Sequence, residues 1–160
     1  AWEAEFAASR DETGLGVERN VFRYRPAPVT VRLAEGGALA DLVRVLAAAA
    51  LARAPLAISS ASPLRMARAF DELGWTAVVE SDAAFASRVG REVPERIRLV
   101  GGDARALAEQ LAERPEVTLY AAPVTAAGRI ELLPFLREQA VSITAHRFGT
   151  PDRAMISLPV

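Results

Sequence analysis

A chain of 160 residues is long enough for one folded domain, and this chain contains neither cysteine nor lysine. These absences exclude disulfides, thiolate metal ligands and thiol nucleophiles, and also Schiff bases and phosphate-loop lysines. The formal net charge is −1 and the charges are spread along the chain, so we expect no nucleic-acid groove and no patch for acidic membranes. The single histidine, His146, cannot supply both ligands of a two-histidine metal site, and no metal is predicted.

The apolar runs of the chain are too short to cross a membrane. The apolar-rich stretch Leu39–Leu51 is interrupted by Asp41 and Arg44 and is typical of a buried helix. No signal peptide is recognised, and we expect a cytoplasmic protein. The chain begins with Ala1 rather than methionine, inside a stretch that resembles a helix, so we interpret it as a fragment of a longer protein.

The first 28 residues are predicted to contain a helix end, a loop and a strand. Trp2 and Phe6 stand four residues apart, as on one face of a helix. Arg10–Asn20 is predicted to be a loop. Val21–Arg25 alternates apolar and basic residues, which indicates a half-exposed strand, and Pro26 ends it.

From residue 29 onward, short apolar strands alternate with helices. The predicted strands are Val29–Leu33, Leu56–Ser59, Thr76–Glu80, Arg96–Val100 and Val117–Ala121. The predicted helices are Ala38–Ala52, Pro63–Leu73, Asp82–Val89, Ala104–Glu113 and Arg129–Gln139. The predicted N-caps of the second, third and fourth helices are Ser62, Ser81 or Asp82, and Asp103. Because such alternation produces parallel β-α-β units, we predict an α/β fold: a Rossmann-like, doubly wound sheet of about five parallel strands with helices on both faces.

The end of the chain departs from this alternation. Its helix is interrupted by Pro134, and the extended segment Val141–Phe148 follows. Alternate residues of that segment are predicted to share one face: Ser142, Thr144 and His146. We expect Val141–Phe148 to pair with Val21–Arg25 as an antiparallel β-flap. The predicted organisation is therefore a first segment over residues 1–28, an α/β core over residues 29–122, and a helix, flap strand and tail over residues 123–160.

Two segments invite a catalytic or cofactor-binding interpretation. Gly101-Gly102-Asp103 follows a strand and opens a helix, where free amides would bind a dinucleotide pyrophosphate. The third glycine of that fingerprint is missing, and Asp103 would cap those amides and repel a phosphate. Ser59, Ser60 and Ser62 also follow a strand. The only imidazole, on His146, is far along the chain, so a capped turn is favoured over a nucleophilic serine.

Aromatic side chains concentrate in the first and last parts of the chain. They are Trp2, Phe6, Phe22, Tyr24, Phe135 and Phe148. We weigh two interpretations equally: a local core, or a surface that docks on another domain, since aromatic residues are enriched in interfaces. His146 is interpreted as a surface histidine, with a hydrogen-bonding role at an interface as the alternative.

Two segments resemble a known family. Thr13–Pro26, with the sequence TGLGVERNVFRYRP, resembles the segment that follows the aldehyde dehydrogenase module of proline utilization A. Leu132–Leu158, with LREQAVSITA, Gly149 and MISL, resembles the C-terminal motif of that family. The layout of Leu46–Leu64 is similar to an aldehyde dehydrogenase cofactor strand with its flanking helices. Members of the family are bacterial bifunctional enzymes that join a flavin proline dehydrogenase to an L-glutamate-γ-semialdehyde (pyrroline-5-carboxylate) dehydrogenase.

The resemblance implies a domain with no catalytic site and no cofactor of its own. In active aldehyde dehydrogenases the strand equivalent to Leu56–Ser59 normally ends in a lysine that holds the adenine ribose, and here Ser59 stands in its place. The catalytic cysteine has no counterpart. A C-terminal domain of this kind is expected to cover the cavity through which the intermediate passes and to support the aldehyde dehydrogenase site. FAD and NAD are expected in the parent enzyme.

The partner implied by the resemblance is the aldehyde dehydrogenase module of the same polypeptide. The predicted contact residues lie in the tail and are Arg137, Glu138, Ser142, Thr144, His146, Phe148 and Gly149. Two alternatives remain at this point. The chain would be an NAD-binding domain of an aldehyde dehydrogenase, or an oligomerisation module that uses the flap as a self-complementary edge and forms a homo-oligomer.

Overall fold

The computed structural model describes residues 2–65, 67–112, 114–147, 150–151, 154 and 157–159. The chain divides into two compact units. One unit is Pro26–Leu136, and the other combines Ala1–Arg25 with Arg137–Val160.

The described elements alternate as predicted through the middle of the chain. The strands are β1 (Arg10–Asp11), β2 (Glu18–Pro26), β3 (Val29–Leu33), β4 (Leu56–Ser60), β5 (Thr76–Val79), β6 (Arg96–Val100), β7 (Thr118–Tyr120), β8 (Leu136–Thr144), β9 (His146–Arg147) and β10 (Thr150–Pro151). The α-helices are α1 (Leu39–Ala52), α2 (Ala67–Glu72), α3 (Asp82–Glu92), α4 (Ala104–Gln110) and α5 (Gly128–Leu132). Trp2–Phe6 forms a π-helical turn and Leu133–Phe135 a 3-10 turn.

The larger unit is built on a five-stranded parallel sheet in the order β5-β4-β3-β6-β7. This is the order 3-2-1-4-5 of a doubly wound sheet, and it confirms the predicted fold class. The central strand β3 is buried at all five positions. A central strand of a parallel sheet is buried because helices cover both of its faces, and in β3 the buried positions include the polar Thr30 and Arg32.

The two faces of the sheet are covered by different helix pairs. On one face, α3 and α4 pack against alternate residues of β6; the buried cluster there is Ala34, Phe85, Val89, Ile97, Leu99, Leu107 and Leu111. Since side chains alternate along a strand, Arg98 points to the opposite face, where it meets Glu131 of α5. Helix α1 packs beside α5 and buries Leu42 and Val45.

Two predicted helix boundaries are corrected by the structure. The last helix was expected over Arg129–Gln139, but α5 ends at Leu132 and β8 already begins at Leu136. Pro134 has no N–H to continue the helix, so the chain passes through a 3-10 turn into an extended backbone at Leu136.

The second correction concerns the start of α2. A helix from Pro63 with Ser62 as N-cap was expected, but α2 begins at Ala67. The Ser60 hydroxyl accepts from the Ser62 backbone N–H at 3.2 Å and donates to the Ser62 carbonyl at 2.6 Å. This local turn engages the backbone groups of Ser62, so that residue does not cap a helix.

The smaller unit contains the predicted antiparallel flap. The flap sheet has the order β1-β2-β8. Asn20 lies opposite Ser142 and Arg23 opposite Gln139, with hydrogen bonds of 2.6 and 2.7 Å, so residue numbers rise along β2 as they fall along β8. Strand β2 is longer than predicted because it begins at Glu18. The predicted flap strand Val141–Phe148 is corrected: β8 begins at Leu136 and ends at Thr144, so His146 lies outside it, in β9.

Candidate functional site

The carboxyl edge of the parallel sheet is the candidate ligand-binding site of this fold. In doubly wound sheets, ligands bind where the strand order reverses, here between the ends of β3 and β6. The loops that follow these strands touch through their backbones. A Cβ atom at Gly101 would lie 2.6 Å from the Gly37 Cα, and one at Gly37 would lie 2.6 Å from the Val100 carbonyl oxygen. Backbone atoms therefore occupy the space directly between these two loops.

The start of α4 is occupied by its own cap. Asp103 Oδ1 accepts hydrogen bonds from the Arg105 and Ala106 amides at 2.9 and 3.0 Å. The carboxylate takes the donors that a pyrophosphate would need, and its charge opposes an anion. The N-cap predicted for Asp103 is confirmed, as is the Ser81 cap of α3, where Ser81 Oγ accepts from the Ala84 amide at 3.2 Å.

Ser59, at the end of β4, lies inside a hydrogen-bond network. It is fully buried, accepts from Arg32 Nη1 at 2.7 Å and donates to Glu80 Oε1 at 2.7 Å. Arg32 is equally buried and also reaches the Glu80 carbonyl at 3.1 Å and Asp82 Oδ1 at 2.5 Å. We call Arg32, Ser59, Glu80, Asp82 and Arg88 the Arg32 cluster. The Ser59 hydroxyl is thereby committed to partners within the fold.

A second ion pair extends the Arg32 cluster toward α3. Arg88 Nη2 lies 2.6 Å from Glu80 Oε1, and Arg88 Nη1 lies 2.7 Å from Glu92 Oε2. Hydrogen bonds from Arg88, and then from Ser59, hold the pKa of the Glu80 carboxyl below its usual value. The Glu80 hydrogen bond in turn raises the pKa of the Arg88 guanidinium. Glu80 therefore stays ionised and is unsuited to act as a general base near neutral pH.

Phe85 lies between the two arginines of the Arg32 cluster. The Arg32 and Arg88 Cζ atoms lie 5.0 and 5.5 Å from the centre of its ring, within the range of cation–π attraction. Arg32 Nε is buried and has no hydrogen-bond partner in the described part of the chain.

A second buried ion pair lies on the opposite face of the sheet. Arg98 Nη2 contacts Glu131 Oε2 at 2.9 Å, and both side chains are almost fully buried. Arg98 Nη1 also donates to the Ala122 carbonyl at 2.8 Å, and the Thr125 amide donates to Glu131 Oε1 at 2.8 Å. The pair ties α5 to the sheet. Sequence reasoning missed it; the available signals were an arginine inside an apolar strand and a glutamate inside an apolar helix.

A cavity of about 460 Å³ lies between α3 and α4. Phe85, Leu99 and Leu107 form an apolar part of its wall, and its carboxylates are Asp82 and Asp103. The volume lies in the range of small-molecule sites, which is roughly 300–1,000 Å³. The Arg32 guanidinium also lines the cavity and pairs with Asp82, so the lining carries charges of both signs.

The predicted contact residues of the flap lie along β8 where the structure describes them. Arg137, Glu138, Ser142 and Thr144 are all exposed, and Ser142 donates to Asn20 Oδ1 at 2.6 Å. His146 begins β9, which pairs with β10, and its side chain is outside the described part of the structure. Phe148 and Gly149 also lie outside the described residues. Ser142 and Thr144 stand two residues apart in one strand and share one face, as predicted.

The aromatic residues of the first segment pack on one another. The Tyr24 ring contacts the rings of Phe6 and Phe22 edge-on, with centroid distances of 5.0 and 5.3 Å. Phe6 is buried, and so is Phe135 of the larger unit. For these residues the local-core interpretation holds. Phe148 lies outside the described residues.

The described residues contain no cluster of three or more histidine, cysteine, aspartate or glutamate side chains placed to hold a metal ion. No helix formed by these residues is long and apolar enough to span a bilayer.

Comparison with solved structures identifies a relative of this chain. Proline utilization A from Corynebacterium freiburgense matches 92% of this chain at 31% sequence identity, with a TM-score of 0.61. The chain is thus similar to one domain of a proline utilization A enzyme. It spans only 13% of the length of that relative.

A second solved structure supports the fold alone. A NAD-dependent benzaldehyde dehydrogenase from Corynebacterium glutamicum matches 70% of this chain and 28% of its own chain, at 19% identity and a TM-score of 0.50. No protein-family model matches the chain, and no curated protein matches it. The relationship to proline utilization A therefore rests on the structural match and on the sequence segments described above.

Proposed function

We propose that this chain is the non-catalytic C-terminal domain of a cytoplasmic, bifunctional enzyme that converts proline to glutamate. In that enzyme one module would oxidise proline with FAD. Another would oxidise L-glutamate-γ-semialdehyde with NAD. The domain would cover the cavity through which the intermediate passes and would support the aldehyde dehydrogenase site.

The observation that carries this proposal is that backbone and polar groups at the carboxyl edge of the parallel sheet are bound to partners within the fold. Gly37 and Gly101 are in backbone contact, Asp103 caps its helix, and Ser59 is bound inside the Arg32 cluster. Each of these positions belongs to the part of a doubly wound sheet that receives a dinucleotide. Here each is engaged by the fold itself, which favours a structural role for the sheet.

The flap sheet supplies the complementary support. Strand β8 is nine residues long, lies at an edge of its sheet and exposes Arg137, Glu138, Ser142 and Thr144. An edge strand is a template for strand addition and for contacts with another module. We propose that β8 and the following residues pack on the aldehyde dehydrogenase module of the same polypeptide.

Truncation of the full-length polypeptide tests this proposal. Deleting Glu138–Val160 should lower semialdehyde oxidation and the direct transfer of the intermediate, while proline oxidation stays at the level of the intact enzyme. Both half-reactions and the lag before glutamate appears would be measured. An unchanged rate of glutamate formation from proline would contradict the proposal.

A matched pair of point variants removes the ambiguity of a deletion. Thr144→Arg places a bulky charge on the exposed face of β8, whereas Ala108→Arg places the same charge on the exposed surface of α4. Thr144→Arg should lower semialdehyde oxidation, and Ala108→Arg should leave it unchanged. Equal effects of both variants would count against a contact role for β8.

The cavity between α3 and α4 favours one competing function. A volume of about 460 Å³ beside the carboxyl edge has room for part of a nucleotide, so an NAD-binding domain is the second candidate. The Asp103 carboxylate weighs against it, since Asp103 caps the helix amides that would bind the pyrophosphate of NAD. Direct titration with NAD separates the two functions.

A further inference from the structure

Helix α1 is apolar on almost its whole circumference. Among its 14 residues only Asp41 and Arg44 are charged, and these two pair with each other at 2.8 Å. One side of the helix packs into the domain. The other side exposes Leu39, Val43 and Leu51 to solvent, with exposed fractions of 54%, 45% and 47%. A helix that is hydrophobic all round is typical of a protein interior rather than a surface.

Helix α5 and the turn that follows it also expose apolar side chains. They pack beside α1 and leave Ile130 and Leu133 exposed by 55% and 47%. We call Leu39, Val43, Leu51, Ile130 and Leu133 the α1–α5 face. Soluble monomers rarely expose contiguous apolar patches of many side chains, and those that they do expose are often binding sites.

The opposite side of the same sheet shows what a solvated layer of this domain looks like. Helix α3 places Arg88, Arg91 and Glu92 along its outer surface, and Arg91 donates to Ser87 at 3.0 Å. In α4, Arg105 and Glu109 form an exposed ion pair at 2.9 Å. The two helix layers therefore differ in kind, and only the α3–α4 layer has the charge density of a solvent-facing surface.

We propose that the α1–α5 face docks on an apolar surface of the remaining part of the same polypeptide. This inference rests on the function proposed above. The occupant is argued from length: the domain matches 13% of its proline utilization A relative, so most of such a polypeptide lies outside it. The proposal adds a second contact surface, on the parallel-sheet unit, to the one proposed for β8.

The absence of cysteine from the chain makes the proposal measurable by thiol accessibility. V43C and L51C each introduce a thiol on the α1–α5 face, and A84C introduces one at an exposed position of α3. In the full-length polypeptide, alkylation of each site would be followed by peptide mass spectrometry. The V43C and L51C thiols should react about tenfold more slowly than the A84C thiol, because the docked interface must open before the alkylating reagent reaches them. Equal rates would overturn the proposal.

Two further variants identify the occupant and exclude a local explanation. In V43E/L51C the new carboxylate should disrupt docking and bring alkylation of the L51C thiol to the A84C rate, whereas A84E/L51C should keep it slow. Slow alkylation in V43E/L51C would overturn the proposal. Protection that is lost on dilution would assign the face to a second copy of the chain, and this would also overturn it. The truncation of residues 138–160 tests β8 separately, so the two proposals fail independently.

Discussion

The carboxyl edge of the parallel sheet and the flap sheet differ in how deeply they bury their polar groups. At the carboxyl edge, Arg32, Ser59, Glu80 and Asp103 are bound to partners within the same unit. Along β8, four of the predicted contact residues are exposed in an edge strand. A doubly wound sheet normally offers its carboxyl edge to a ligand. In this domain the loops after β3 and β6 touch and Asp103 caps the α4 amides, while a cavity remains between α3 and α4.

The difference teaches that a fold associated with cofactors is no guide to function unless its site is intact. The parallel sheet keeps the strand order of a dinucleotide-binding domain, while its ionisable groups hold the domain together.

The largest expected effect concerns the buried pair that ties α5 to the sheet. Arg98→Ala should destabilise the chain by about 3–5 kcal/mol, because Glu131 would be left charged and buried without its partner. Urea denaturation measures this loss. The double variant R98L/E131L should recover a large part of it, since two apolar side chains replace both charges. A loss below 1 kcal/mol for Arg98→Ala would show that the pair does not hold α5.

A smaller effect is expected where the loops after β3 and β6 touch. Gly101 has a φ of +74°, and its added Cβ would meet the Gly37 Cα at 2.6 Å. Gly101→Ala should therefore cost at least about 2 kcal/mol, from left-handed strain and the displaced loop. The matched control is Gly90→Ala in α3, where a Cβ meets nothing within 4 Å and where alanine should stabilise the helix by up to about 1 kcal/mol. Thermal denaturation of both variants compares them, and a tolerated Gly101→Ala would show that the crevice has room to open.

A still smaller effect on stability is expected for Glu80, and it should depend on pH. The pKa of Glu80 is lower in the folded chain than its usual value of 4.5, so the unfolded chain binds more protons between the two values. The stability that Glu80 contributes is present above pH 4.5 and is lost as the pH falls through the folded pKa. Glu80→Gln should cost about 1.5 kcal/mol near pH 7 and flatten the acid limb of a stability–pH curve. Parallel curves for the two proteins would contradict the role given to the Arg32 cluster.

The smallest effect on stability is expected in the flap. Ser142→Ala removes the exposed hydrogen bond to Asn20 and should change the free energy of unfolding by less than about 0.5 kcal/mol. Urea denaturation would show this near-neutral result. A loss above 2 kcal/mol would mean that the flap sheet depends on Ser142 for its fold, which would weaken the contrast between the closed edge and the open strand.

The parts of this structure that local sequence patterns determine were predictable. Apolar runs between helices gave the five parallel strands, and Asp103, placed between Gly102 and a helical segment, was recognisable as a cap. The end of α5 was harder to locate. Residues such as Leu136, Glu138 and Gln139 favour helices, and their pairing with β2 overrides that preference.

The Arg32 cluster could not be predicted because its members are far apart in sequence. Arg32 and Ser59 lie near the ends of β3 and β4, Glu80 directly follows β5, and only the parallel registration of these strands brings the three residues together. The same holds for Arg98 and Glu131, which belong to a strand and to a helix on one face of the sheet. In the flap, pairing of the two strands followed from their alternating patterns, whereas the residues that contact a partner remain predictions.

Calorimetric titration of this chain with NAD tests the central claim most directly. Because the loops after β3 and β6 are in contact and Asp103 caps the α4 amides, no saturable heat should be observed up to millimolar NAD. The folded state of the sample would be checked by circular dichroism before and after the titration. A saturable isotherm with one NAD per chain would contradict the claim and restore the cofactor-binding function.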